Sequence, residues 1–207
     1  MGTTLSHIHR FEPGTEDGGP PLLLLHGTGG DENDLIELGR AVAPTSPLLS
    51  PRGKVLENGA PRFFRRLAEG IFDEDDVRRR AGELADFIGE ARQAYGFEAP
   101  VALGFSNGAN IAAAVLLLHP EALAGGALLR AMVPVQQPPP ADLTGKSVLI
   151  LSGSLDPIIP PENALRLAAI LRERGSAVDH RTLPAGHGLT QADVGIVQEW
   201  VARLGTA

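Results

Sequence analysis

No cysteine occurs anywhere in the 207 residues, which excludes disulfides, thiolate-bound metal and a cysteine nucleophile. Positive charge is in short supply: 18 Lys and Arg against 25 Asp and Glu give a formal charge of −7, a balance that disfavours nucleic acid or an anionic membrane as main partner. Long apolar runs are missing too. The early run Leu22 to Leu25 is far too short to span a bilayer. The opening MGTTLSHIHRFEPGTEDGGPP lacks a basic start followed by an apolar stretch, so no signal peptide is expected and the cytoplasm is the expected compartment. There is no internal repeat and no heptad pattern. No histidine pair has metal-ligand spacing with a carboxylate, so neither a metal nor another cofactor is expected. What is present is a chain 43% hydrophobic and 21% charged, which reads as one globular domain over 1–207, with a homodimer left open beside a monomer.

Short apolar segments alternate with helical spacing along the whole chain. Ser6 to Glu12 reads as an edge strand entering the turn-rich EPGTEDGGPP, and PLLLLHG as a strand closed by glycine. Asp34 to Val42 has helical spacing, with Asp31 or Asn33 available as N-cap. Ser46 to Ser50 is a short strand closed by Pro51, and an irregular segment follows. DEDDVRRRAGELADFIGEARQAYG predicts a long helix that buries Val77, Ala81, Leu84, Ala85, Ile88 and Ala91, with Glu74/Arg78, Asp75/Arg79 and Asp76/Arg80 paired on a solvated face. Strands are then expected over Pro100 to Phe105, Ala124 to Arg130, Ser147 to Ser152 and Ala177 to Leu183, and helices over Asn107 to His119, Pro161 to Arg174 and Leu189 to Leu204. The proline cluster Pro134 to Gly145 reads as a surface connection. Continuous apolar strands such as VLIL, alternating with helices, imply a mostly parallel central sheet with helices on both faces.

The stretch GFSNGAN, Gly104 to Asn110, sits where a strand passes into a helix. Its serine reads either as a helix cap between punctuating glycines or as the exposed hydroxyl of a G-x-S-x-G elbow. Ligands in such sheets bind at the carboxyl ends of strands. Three reactive side chains fall at those ends: Ser106 after VALGF, Asp156 after SVLILS and His187 after HRTL. Serine, aspartate, histidine in that chain order is the order of α/β-hydrolases. A serine hydroxyl is a poor nucleophile until an imidazole takes its proton, and a carboxylate fixes the imidazole tautomer. Negative charge that develops on an acyl oxygen needs fixed donors. The backbone N–H of Asn107 and that of Thr28, in the glycine-rich HGTGGDE, are the candidates. HGTGG as a phosphate cradle is the weaker alternative, since it lacks the G-K-[ST] ending and G-x-G-x-x-G spacing.

Taken together, LLLLHGTGGDENDL, SPRGKVLENG, GFSNGAN, GSLDPIIP and GHGLT resemble the phospholipase/carboxylesterase family of α/β-hydrolases. The resemblance runs from about Leu22 to Trp200 and is greatest to small bacterial carboxylesterases similar to acyl-protein thioesterases. It implies an α/β-hydrolase fold, a triad of Ser106, Asp156 and His187, an oxyanion hole from Thr28 and Asn107, and hydrolysis of a small-molecule ester. Dienelactone hydrolases share the fold but use the cysteine that this chain lacks, and haloalkane dehalogenases and epoxide hydrolases need aspartate where Ser106 stands. No segment between Asn107 and Ala127, or from Arg130 to Lys146, is long enough for a cap domain, so an open pocket for short-chain or aryl esters is expected. Thioesterase or lysophospholipase activity with the same machinery is the close alternative. A peptidase and a non-catalytic binding protein stand further off, because no peptide-selecting cap is present and all three triad positions are intact.

The remaining candidates each have a plainer reading. Phe64, Met132 and Ile158 fit pocket walls or core. Arg52 and Arg130, at strand ends, would either bind a substrate carboxylate or tie loops, and loop-tying is favoured. His26 reads as a loop-orienting partner, His180 as solvent-facing, His119 as a helix-end cation, and His7 and His9 as edge-strand residues. Asp31, Asp34 and Asp193 read as caps or helix-surface groups, and Trp200 as core.

Overall fold

The computed structural model describes residues 5–16 and 18–204. Residues 1–4 and 205–207, on which the expected lack of a leader and the ends of the 1–207 domain rest, lie outside the described residues, as does Asp17 in the expected turn.

The elements follow the chain as β1 (His9–Glu12), β2 (Leu22–Leu25), α1 (Ile36–Val42), β3 (Leu48–Pro51), β4 (Val55–Glu57), β5 (Ala60–Arg62), β6 (Arg66–Ala68), β7 (Ile71–Phe72), α2 (Glu74–Tyr95), β8 (Val101–Phe105), α3 (Asn107–Leu118), β9 (Gly125–Leu129), β10 (Ser147–Gly153), α4 (Pro161–Glu173), β11 (Ala177–Leu183) and α5 (Gln191–Leu204). Seven strands form one sheet in the order β1-β3-β2-β8-β9-β10-β11. All neighbours run parallel except β1, which caps the edge antiparallel to β3.

The four leucines of β2 explain why this strand is uniformly apolar. Leu23 and Leu25 enter the core on one face of the sheet, Leu22 and Leu24 the core on the other, and all four are 0% exposed. A strand covered on both faces has no polar side to show. The first core is closed by α2, α3 and α4 through residues such as Phe87, Leu116 and Leu167, the second by α1 and α5 through Ile36, Val197 and Trp200. This is the α/β-hydrolase architecture that the sequence implies.

Capping differs in detail from expectation. Helix α2 starts as predicted, with the Asp73 side chain accepting from the Asp76 N–H, and ends on left-handed Gly96. Its charge run is less solvated than predicted: Asp76 is buried, accepts from the Arg65 N–H at 2.7 Å and takes the Arg79 side chain in place of the predicted Asp75. Helix α1 is capped by neither Asp31 nor Asn33. Its N-cap is Leu35, while the Asp31 carboxylate closes a turn by accepting from the Asn33 N–H at 2.8 Å. The segment read as irregular after β3 holds two small antiparallel hairpins, β4 with β5 and β6 with β7.

Candidate active site

Strand β8 turns into α3 at Ser106, whose backbone takes φ 52° and ψ −113°, a conformation that costs a non-glycine residue about 1–3 kcal/mol. The flanking glycines make the turn fit. A Cβ on Gly108 would lie 1.9 Å from the Leu25 carbonyl oxygen, and one on Gly104 would lie 2.7 Å from the Ala109 backbone. G-x-S-x-G is therefore a requirement of a strand and a helix packed backbone to backbone. The turn is pinned by the Ser106 N–H donating to Leu129 O at 2.9 Å and the Asn110 N–H donating to Ser106 O at 3.0 Å. The Ser106 hydroxyl makes no capping bond to the helix, so the cap reading of this serine fails.

The hydroxyl lies instead 2.9 Å from His187 Nε2, and His187 Nδ1 lies 2.9 Å from Asp156 Oδ2. A carboxylate can only accept, so Nδ1 carries the proton and Nε2 is free to accept from the serine. Asp156 Oδ1 accepts from the N–H groups of Ile158 at 2.8 Å and Ile159 at 3.1 Å. Burial alone would push this carboxyl up, but the Ile158 amide, the His187 ring and the Ile159 amide outweigh it and hold its pKa below the ordinary value. The Asp156 and His187 loops are stitched together by the Leu155 N–H donating to Ala185 O at 3.0 Å, and the Phe105 ring packs 5.4 Å from the imidazole.

Arg130 does not face the site, contrary to a substrate-binding role, and instead ties loops, the reading favoured for it. It is 0% exposed and fully occupied. Its Nε donates to Gly186 O at 3.0 Å and Nη2 to Gly188 O at 3.2 Å, so it grips the carbonyls on both sides of His187. Both Nη atoms bond Asp193, at 2.8 and 2.9 Å. Asp193, read as a cap or helix-surface group, is thus a 1%-exposed counter-ion that also accepts from the Thr190 N–H and hydroxyl. Phe64 takes the core position of its two readings and does not line the pocket: it is 0% exposed and packs edge-on against Phe72, 5.0 Å away, behind the cavity wall. His180 is half-buried rather than solvent-facing, with Nε2 2.9 Å from Ser152 Oγ.

A cavity of about 250 Å³ opens beside Ser106. Thr28, Asn107, Met132, Ile158 and His187 line it, which gives Met132 and Ile158 the pocket-wall position rather than the core one. It is also lined by Phe105, Asn110, Ile159 and, from the hairpin segment, Arg62, Arg66, Glu69, Gly70 and Phe72, none of which sequence reasoning singled out. The cluster PRFFRR was the available signal for the two arginines. The Thr28 loop is fixed from below by His26, 1% exposed, whose Nδ1 donates to Gly27 O at 2.7 Å while Nε2 accepts from the Gly53 N–H at 3.0 Å. Burial lowers the His26 pKa, which keeps the ring in that neutral, two-way role. Arg52 ties the same region by two bonds to Glu32, at 2.5 and 2.7 Å. Asn107, first residue of α3, accepts from the Phe63 N–H through Oδ1 at 2.7 Å, and its own N–H has no carbonyl one turn back to donate to. Among the described residues no group of three or more His, Cys, Asp or Glu could hold a metal, and no helix is long and apolar enough to cross a membrane.

In sequence, the chain is 45% identical over 194 residues to the Bacillus subtilis (strain 168) protein named "Putative hydrolase MhqD", a match that spans 93% of this chain and 96% of that protein. In structure, it matches the Bacillus cereus carboxylesterase with a TM-score of 0.93 and 45% identity, over 96% of this chain and 94% of that one. A carboxylesterase from Mesorhizobium loti matches with a TM-score of 0.91 and 33% identity, over 97% of this chain and 96% of that one. No family model matches the chain.

Proposed function

The chain belongs to the phospholipase/carboxylesterase family of α/β-hydrolases and is a carboxylic ester hydrolase; from that premise we propose that it cleaves small acyl or aryl esters with Ser106, His187 and Asp156, through an acyl-enzyme. The observation that carries this reading is the unbroken relay of two 2.9 Å contacts ending on a hydroxyl raised at a strained turn. Ser106 Oγ attacks the ester carbonyl carbon while His187 Nε2 takes its proton. As the carbon–oxygen bond to the alcohol breaks, His187 returns that proton to the departing oxygen. Water then attacks the acyl-serine, again losing a proton to Nε2, and releases the acid and the free serine. Asp156 keeps Nδ1 protonated and stabilises the imidazolium formed in each half. The backbone N–H groups of Thr28 and Asn107 receive the oxyanion, a role supported by their position on the cavity wall beside Ser106.

The modest cavity, about 250 Å³ against the several hundred typical of drug-sized ligands, supports short or aryl esters over long acyl chains. The net charge of −7 supports an enzyme that works on small molecules without nucleic-acid or anionic-membrane partners. The test is kcat/KM on 4-nitrophenyl esters of increasing acyl length, with Ser106→Ala in parallel. Activity that peaks at short chains and vanishes in Ser106→Ala is expected. A peak at long chains would transfer the assignment to thioesterase or lysophospholipase chemistry, and the absence of any serine-dependent turnover would leave only a binding role.

A further inference from the structure

The catalytic cavity contains more guanidinium than carboxylate to neutralise it. Arg62 lines the cavity yet is 3% exposed, a cation withdrawn from water. Its Nη1 donates to Thr28 Oγ1 at 2.9 Å and its Nε to Phe64 O at 3.2 Å, both neutral acceptors. Among the described residues its one carboxylate contact is Glu57, at 3.3 Å from Nε. That carboxylate is already taken by Arg66, which also lines the cavity and donates to it from Nε at 2.9 and 3.2 Å and from Nη2 at 2.7 Å. Among the described residues Arg62 Nη2 donates to no protein group, and Glu69, the one carboxylate on the cavity wall, is exposed and pairs with neither arginine. Burial of a charge is costly unless the charge is paired. Consistent with that, desolvation lowers the Arg62 pKa, with Glu57 opposing only in part.

We propose that Arg62, with Arg66 beside it, forms an anion subsite in the catalytic cavity, and that the natural substrates are small esters carrying a carboxylate. This rests on the esterase reading given above. A guanidinium suits a carboxylate because its planar fork offers parallel N–H donors. The bond from Nη1 to Thr28 Oγ1 joins the subsite to the loop that supplies an oxyanion donor, so an ester held by its carboxylate presents its carbonyl next to Ser106. The carboxylate can belong to the acid half of the ester or to the alcohol half.

Two matched pairs separate these sources: ethyl hydrogen succinate against neutral ethyl pentanoate, and 3-carboxyphenyl acetate against neutral 3-acetylphenyl acetate. kcat/KM is measured for the unmodified enzyme, Arg62→Met and Arg66→Met. In at least one pair the anionic ester should be preferred by about tenfold or more, the worth of one charge-assisted hydrogen bond. That ratio should fall toward one in Arg62→Met and by a smaller factor in Arg66→Met. A purely structural arginine would slow both members of a pair alike and leave the ratio unmoved. Should Arg62→Met not fold, the Arg66→Met ratio stands beside inhibition of neutral-ester turnover by succinate, with succinamide as the uncharged control. Preference for the neutral ester in both pairs, or a ratio unchanged in the folded variants, overturns the proposal. Turnover of no ester overturns the esterase reading instead, and calorimetric titration with succinate then decides whether the anion subsite exists.

Discussion

A single guanidinium holds the histidine loop. Arg130 grips Gly186 O and Gly188 O, so the ring between them is positioned by a residue that never meets the cavity. The pair with Asp193 is fully buried, and breaking such a pair by removing one partner costs about 3–5 kcal/mol. Arg130→Met should therefore lower stability by about that amount, as read by denaturant titration. It should also lower kcat by about 100-fold with little change in KM, because His187 loses its alignment. Adding Asp193→Leu removes the stranded charge and should recover most of the stability but none of the kcat. Recovery of both would show that Arg130 acts on stability alone. Of these residues the sequence exposed Ser106, Asp156 and His187, since each stands in a short motif at the carboxyl end of a strand and the three follow the chain order of α/β-hydrolases. It could not expose Asp193 as the partner of Arg130, because no motif marks either residue and only the fold brings a short acid beside the arginine.

At the scale of elements, the site depends on how closely α3 descends on the sheet. Gly108 meets the carbonyl of Leu25, which belongs to the strand beside β8, so β2, β8 and α3 meet at one point. Gly108→Ala would force that Cβ against backbone, which cannot rotate away. A loss of at least about 3 kcal/mol is expected. For a chain of this size that lowers the Tm by roughly 10 °C in calorimetry, and an unchanged Tm would contradict the packing described. The strands and helices around this junction were legible because continuous apolar runs and helical spacing are strong signals. Hairpins β4–β5 and β6–β7 were not. Their strands of two or three residues show no alternation, and one contains Pro61. Contacts from outside hold the segment: the Gly29 N–H donates to Pro61 O at 2.9 Å and the Phe63 N–H to Asn107 Oδ1 at 2.7 Å. Since this segment builds one cavity wall, the subsite arginines were hidden along with it.

For the molecule as a whole, acid sensitivity is built in at a residue that does not line the cavity. His7 is buried against Phe87, where desolvation, aided by Lys54 and Arg80 and opposed by Glu83 and Glu90, brings its pKa down to about 4. The unfolded chain, with an ordinary histidine near 6.5, then binds more protons than the folded one between those two values. Stability must fall as pH drops through that window. Between pH 7 and pH 5 the contribution of His7 amounts to roughly 2 kcal/mol. The unmodified protein should lose that much more stability than His7→Leu over the same interval in urea titrations, and equal losses would contradict a neutral buried ring. Acylation of Ser106 is tested most directly by quenching the reaction with a 4-nitrophenyl ester during its first turnover and mapping the protein by mass spectrometry. One acyl group on Ser106, absent from Ser106→Ala, is the predicted result. Full turnover by Ser106→Ala, or an acyl group carried elsewhere on the catalytic path, would rule out Ser106 as the nucleophile.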